Sequence, residues 1–328
     1  MNKTAATTRT TELEQQRMQR FLHWLQAHGA VFPGIDIRIG KSGRRPHASH
    51  ALQDGEMVLY VPQALILAAS KAKESEIGTW FARFLPELRD STFLAIYLLW
   101  TIRHDGFFKP YTDVLPHDVS DMPVNFSEAE LAWLEGTSAL RLIRAEIACI
   151  EAEYQQLNAH CPPGFSFTLD EYKWAISMVN SCASDLLTDD GDLLMIPLAD
   201  MMDHQPTRPN VVWDGNPPPG FLCTTGYDVA RDAELTVYYG RKGNGNLLHA
   251  YGFTLQDNRN DDTELRFPDL NDGADAAPTF NPVGRYNHVS TRKMFACLRS
   301  LHGQASPAML RTAASRENEL AVLGTLRR

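Results

Sequence analysis

Hydrophobic and polar positions alternate along this chain with two different periods, and the changes of period mark its elements. Residues 14–28 carry Met18, Phe21, Leu22, Trp24 and Leu25 at helical spacing, and Gly29 supplies a stop. Residues 35–39 and 57–61 read as strands, the second ended by Pro62. The turn Gln53-Asp54-Gly55-Glu56 predicts a hairpin joining Ala51-Leu52 to the strand at 57–61. Residues 93–102 (FLAIYLLWTI) are apolar on nearly every side, which predicts a buried helix with Ser91 as its N-cap.

A long helix is expected over 126–158. The capping signal Ser127-Glu128-Ala129-Glu130 opens it and the corner Pro162-Pro163-Gly164 closes it. Another helix is expected from Asp170 through Tyr172, Trp174, Ala175, Met178 and Val179. Residues 193–239 then break into short β pieces, with Pro217-Pro218-Pro219-Gly220 the clearest loop. Residues 257–277 are loop-rich, and helix-compatible spacing returns near the C-terminus in ENELAVLGTLRR (317–328). No repeat appears at solenoid periods. Strands, a helical block, strands and a helical tail make an α+β layout, and many α+β folds share it.

Composition narrows the class. The 328 residues suffice for one large domain or two ordinary ones, and 44% hydrophobic residues supply a core. Lys plus Arg number 31 against 40 Asp plus Glu, a net charge of −9. That balance excludes a nucleic-acid backbone as the main partner and suits a basic protein segment. The cysteines (149, 161, 182, 223, 297) contain no CxxC pair and read as reduced thiols of a cytosolic or nuclear protein. No apolar run approaches the ~20 residues of a membrane span. Residues 1–19 lack a signal-peptide core and are expected to form a polar tail.

Two stretches carry the chemistry: MIPLADMMDHQP at 195–206 and VYYGRKGNGNLLHAYGF at 237–253. Taken one at a time, their residues say little. A lone Tyr239 or Tyr251 reads as a core tyrosine with a satisfied hydroxyl, and a lone His204 as a structural histidine. Asp200, Asp203 and His204 are a conceivable metal set, but the spacing is weak and no second His/Asp cluster accompanies it, so no metal is expected. The glycine- and asparagine-rich GRKGNGN lacks the GxxxxGK[ST] of a P-loop.

Taken together and in order, these stretches resemble the SET-domain protein methyltransferases of the branch that includes the Rubisco large-subunit lysine methyltransferase and the actin-histidine methyltransferase. The similarity runs from about residue 20 to 261, through FLHWLQAHGA, GRRPHASHALQDGEMVLYVP, FLAIYLLW with FFKPYTDVLP, KWAISMVNSCASD, PLADMMDH and YYGRKGNGNLLHAYGF. The resemblance implies a SET-domain β fold over 20–261, with a helical insertion at about 126–185. It also implies a truncated helical substrate-binding region over 262–328.

The implied activity is S-adenosylmethionine-dependent transfer of a methyl group to a protein, with lysine as the acceptor. Tyr251 stands where lysine-modifying relatives carry the catalytic tyrosine, and Tyr239 stands at a second pocket phenol. The implied cofactor-binding residues are Gly43, Arg44, Arg45, Cys182, Asp203, His204 and Phe253. Ser184, Asp200 and Tyr239 are the implied substrate-binding residues, and Asn244 fits the turn between the phenols.

Three positions depart from the family pattern. Its Gly-x-Gly turn is Gly43-Arg44-Arg45, its Ser-Arg pair is Ser181-Cys182, and its Asn-His pair is Asp203-His204. A residue with a Cβ at position 45 would be strained if that position needed φ > 0. With arginine missing at 182, Arg44 or Arg45 is expected to serve the cofactor's carboxylate, while Asp203 could pair with its ammonium. The implied assembly is a monomer acting on a lysine-bearing, basic protein segment. The alternative is a SET-fold protein that has lost catalysis and binds a partner.

Overall fold

The computed structural model describes residues 3–40, 43–185, 191–214, 219–261, 265–266 and 279–280. In chain order its elements are α1 (Lys3–Ala27), β1 (Ile35–Gly40), β2 (Gly43–Ala48), β3 (Met57–Pro62), β4 (Leu67–Ala68), α2 (Ala69–Glu74), α3 (Glu76–Ala82), α4 (Asp90–His104), α5 (Lys109–Thr112), α6 (Glu128–Leu131), α7 (Ser138–Ala159) and α8 (Leu169–Cys182). There follow β5 (Ala183–Ser184), β6 (Leu194–Met195), β7 (Asp203–His204), β8 (Val211–Asp214), β9 (Gly220–Thr225), β10 (Thr236–Val237), α9 (Asn244–Tyr251), β11 (Leu265–Arg266) and β12 (Thr279–Phe280). The chain divides into two compact units, 1–127 with 143–240, and 128–142 with 241–328. This division does not coincide with the expected boundary at 261.

In the first unit, α1 starts at Lys3, so the expected polar tail is largely helix. Its periodic residues Met18, Phe21, Trp24 and Leu25 are buried, and Gly29 turns the chain out at φ +90°. Strands β1 and β2 form an antiparallel hairpin in which Ile39 faces Arg44 and Arg38 faces Arg45. The turn at 53–56 forms, with the Glu56 amide donating to the Gln53 carbonyl at 3.1 Å. It does not make the expected hairpin. Strand β3 has an apolar side chain in the core at Val58, Leu59 and Val61 and pairs with β9, completing a β3-β9-β8 sheet. A two-residue partner at 51–52 is too short to satisfy such a strand, and Leu52 bridges to Val229 instead. The smaller sheets are β4-β6-β5 and the parallel pair β7–β10.

Helix α4 is as apolar as its sequence requires, with Phe93, Leu94, Ile96 and Leu98 buried. Ser91 is not its cap: Arg89 holds the N-cap position, and its guanidinium, which has no acceptor to offer the first helical amides, donates to Glu153 instead. Helix α8 opens with a full capping box between Thr168 and Glu171. Tyr172 and Ile176 of α8 are fully buried in the main core.

The expected single helix over 126–158 is broken. Helix α6 ends, Gly136 takes φ +80°, and α7 restarts with the Thr137 hydroxyl accepting from the Leu140 amide at 3.2 Å. A glycine in the left-handed region ends one helix and a Thr cap begins the next. The second unit also holds α9, which closes at Gly252 in the left-handed conformation, and the β11–β12 pair. Pro217, Pro218, Cys297 and residues 317–328 lie outside the described residues.

Candidate functional site

Within the first unit, α1, the β1–β2 hairpin, the segment after α5, the end of α8 and the turn before β7 surround a cavity of about 620 Å³. That volume is in the range of small-molecule sites. Its chemistry is set by Arg44, Asp200, Asp203 and Cys182, with Glu14 and Arg17 from α1.

Asp200 is delivered by a sharp bend. Leu198, fully buried, takes φ +74°, a conformation unusual for a residue with a Cβ, and a single turn over Ala199–Met201 follows. The Asp200 amide donates to the Ile196 carbonyl at 3.1 Å. The fully buried Tyr111 hydroxyl donates to Asp200 Oδ2 at 2.5 Å. Asp200 Oδ1 is also out of contact with solvent, although the residue as a whole keeps some surface, and among the described residues it has no donor. Burial is the largest influence on the carboxyl and raises it to about 7, against the opposing pull of the Tyr111 hydroxyl and Arg44. Burial, then the Asp200 charge, in turn pushes the Tyr111 phenol well above its ordinary value. Tyr111 was not singled out from sequence; it lay unremarked inside FFKPYTDVLP.

The two arginines of β2 part ways. Arg45 Nη1 pairs with Asp203 Oδ2 at 2.6 Å and with Glu234 Oε1 at 3.0 Å. It is therefore engaged with protein carboxylates and not among the residues lining the cavity. Its backbone is ordinary strand, and the positive φ of the turn, +97°, falls on Gly43. The lost second glycine thus costs no strain at Arg45. Arg44 faces the cavity and, among the described residues, has no hydrogen bond or ion pair. Burial, its strongest influence, lowers its pKa, with Glu14 and Asp200 pulling the other way.

Asp203 lines the cavity, but its carboxylate is taken up by Arg45, which alters the expected pairing with a ligand ammonium. Burial raises its pKa, opposed by Arg45. His204 Nδ1 accepts from the Tyr239 amide at 3.1 Å, and the two rings stack 5.1 Å apart. The Tyr239 hydroxyl donates to the Met202 carbonyl at 2.7 Å. Cys182 lines the cavity as a thiol, held neutral by burial that pushes its pKa up to about 12. Ser184 sits in β5 opposite Leu194. Asp200, Asp203 and His204 form no metal-binding cluster of side chains, and none exists among the described residues.

In the second unit, Tyr251 ends α9 and its ring lies 6.1 Å from Phe253, with Lys242 Nζ 5.8 Å from the Tyr251 ring centre. Asn244 opens α9 and locks the following loop: its side-chain amide donates to the Leu255 carbonyl at 2.9 Å, and its side-chain carbonyl accepts from the Leu255 amide at 3.1 Å.

No family model matches the sequence. The actin-histidine N-methyltransferase of Xenopus tropicalis is 26% identical over 275 residues, covering 75% of this chain and 44% of that protein. The human enzyme of the same name is 25% identical over 274 residues, covering 75% of this chain and 43% of its own length. The chain therefore spans less than half the length of the curated relatives it matches. Among solved structures, the SET domain of LSMT bound to lysine and AdoHcy superposes with a TM-score of 0.76 at 21% identity, over 95% of this chain and 80% of that one. Rubisco LSMT bound to AdoMet gives 0.74 at 20% identity, over 95% and 79%. The fold is that of a SET domain.

Proposed function

We propose that this chain, which has the fold of a SET domain and is similar in sequence to actin-histidine N-methyltransferases, is an S-adenosylmethionine-dependent protein methyltransferase with lysine as acceptor. The observation that carries the reading is one cavity lined both by Asp200, whose buried Oδ1 has no donor among the described residues, and by Arg44. A buried acceptor without a donor is costly unless a ligand supplies one. A cationic amine and a carboxylate on the same small molecule meet both needs, and S-adenosylmethionine carries both.

The cofactor supplies an electrophilic methyl group on sulfur. What the protein does is bind, align and exclude water, because in-line transfer to an amine gains most from orientation. Asp200, fixed by Tyr111, takes the ammonium. Asp203 lines the cavity, and His204 beside it, tied to β10, stacks on Tyr239. The lysine assignment rests on Tyr251 before Gly252-Phe253, the feature of lysine-modifying relatives; a phenol can orient an uncharged amine and attract a methylated one. Ala183-Ser184 also lacks amide side chains that would hold an imidazole. The reading extends to a monomer of the cytosol or nucleus that acts on a basic segment of a protein, in keeping with the net charge of −9.

A second reading, histidine as the acceptor, is favoured by the names of the sequence relatives. Incubation of the purified chain with radiolabelled cofactor and a matching lysate, followed by mass spectrometry of the labelled band, separates the two. Lysine label that is lost in Tyr251→Phe supports the proposal; histidine label selects the second reading. No label, together with no calorimetric heat at millimolar cofactor, leaves a partner-binding scaffold.

A further inference from the structure

The geometry points to Arg44 as the group that grips the carboxylate of the cofactor's amino-acid end. This deepens the reading above and rests on it. Among the described residues that line the cavity, three side chains can carry positive charge: Arg17, Arg44 and His117. Arg17 Nη1 lies 3.3 Å from His117 Nε2, so these two engage each other. Arg45, next along β2, is spent on Asp203 and Glu234. Cys182, where the resemblance implied an arginine, contributes no charge because its thiol stays neutral.

Arg44 differs from all of these. It is half-buried on the cavity wall and has no hydrogen-bond or ion-pair partner among the described residues. Glu14 and Asp200 act on it only through the field, beyond ion-pair distance. A half-buried guanidinium left without protein acceptors is a site prepared for a planar anion, and a carboxylate matches its fork with two parallel bonds. With Asp200 lining the same cavity, the walls present opposite charges, which suits an α-amino acid zwitterion. The cation that the family resemblance implied at the end of α8 is thus supplied in this chain from the β1–β2 hairpin.

The test is calorimetric titration of the full chain with S-adenosylmethionine and with decarboxylated S-adenosylmethionine, which keeps the ammonium and lacks only the carboxylate. Wild-type protein is expected to prefer the carboxylated ligand by about tenfold or more, the scale of a charge-assisted bidentate contact. Arg44→Met is expected to erase that preference while leaving the decarboxylated ligand's affinity within about twofold. Arg44→Lys keeps a point charge without the fork and falls between the two. Adding Cys182→Arg to Arg44→Met is expected to restore the preference.

An unchanged preference in Arg44→Met, or equal loss for both ligands, overturns the assignment. So does a wild type that binds both ligands equally, which needs no variant at all. If wild type binds neither ligand, the functional reading itself fails and the assignment fails with it.

Discussion

Two carboxylates are withdrawn from water in the first unit, and they are treated in opposite ways. Glu153 of α7 receives two parallel bonds from Arg89, at 2.8 and 2.9 Å, together with the Thr92 hydroxyl at 3.1 Å and the Tyr172 hydroxyl at 2.8 Å. Burial is the largest influence on it and acts upward, yet these donors together bring its pKa below the ordinary value. Asp200 receives a single side-chain bond, from Tyr111, and its carboxyl is raised to about 7. Both groups use a buried tyrosine hydroxyl. What separates them is the arginine: Arg89 closes on Glu153, whereas Arg44 shares a cavity with Asp200 without pairing to it. A carboxylate that is fully satisfied stitches helices together; one left half-satisfied is held ready for a ligand.

The largest effect that sharpens the contrast is on the satisfied side. Arg89→Leu leaves Glu153 buried without its counter-charge and is expected to cost about 3 kcal/mol, the low end for a broken buried pair because Arg89 is 39% exposed. A thermal melt at neutral pH reads it, and an unchanged melting temperature would reduce the Glu153 cluster to a surface ion pair.

The opposite sign is expected for Asp200→Asn. The folded carboxyl keeps its proton to about 7, against 3.8 for an unperturbed one, so the folded state binds more protons between those values. Stability from this group is therefore complete at low pH, falls as pH rises through that window and stays penalised above it. Asp200→Asn is expected to raise stability by about 2 kcal/mol at pH 8, half or so of the full linkage effect because the new amide needs partners of its own, and to change little at pH 4. It is also expected to lose cofactor affinity. Gain of stability with loss of binding is the mark of a functional group, and destabilisation at both pH values would place Asp200 with Glu153.

Smaller again is a dependence on pH without mutation. Binding of S-adenosylhomocysteine is expected to weaken by up to about tenfold per pH unit below 7 as Asp200 takes up its proton. A titration that is flat between pH 6 and 8 would break the link between this carboxyl and the ligand. Tyr111→Phe is the mildest change, expected to cost about 1 kcal/mol of stability and to move the midpoint of that pH profile upward, since the carboxylate loses its one side-chain donor. A profile that stays in place would make Tyr111 a packing residue.

How far this was legible in the sequence depends on how local the causes are. The periodic faces of α1, α4 and α8 could be read because each buries a continuous stripe in one core. Strand β3 was readable as a strand but not in its pairing, since the partner, β9, lies far along the chain and the nearby Gly55 turn mimicked a hairpin signal. The two-residue strands β4 to β7 carry too few residues for any period to show. At the site, Arg44, Cys182, Asp200 and Asp203 were named from motif order and do line one cavity. Tyr111 could not be found this way: 89 residues separate it from Asp200, and a tyrosine in an apolar stretch looks like any core tyrosine. The choice between Arg44 and Arg45 awaited strand β2, where neighbours point to opposite faces.

That last point reaches beyond the two residues. With Gly40 opposite Gly43 and Ile39 opposite Arg44, the hairpin register alone decides which guanidinium looks inward and which reaches Asp203 and Glu234. Inserting one residue into β2 ahead of Arg44 would move Arg44 into the position that meets the two acidic neighbours and leave the inserted side chain in the inward-facing slot. The ladder thus works as a sorting device, assigning adjacent, chemically identical side chains to different tasks by parity.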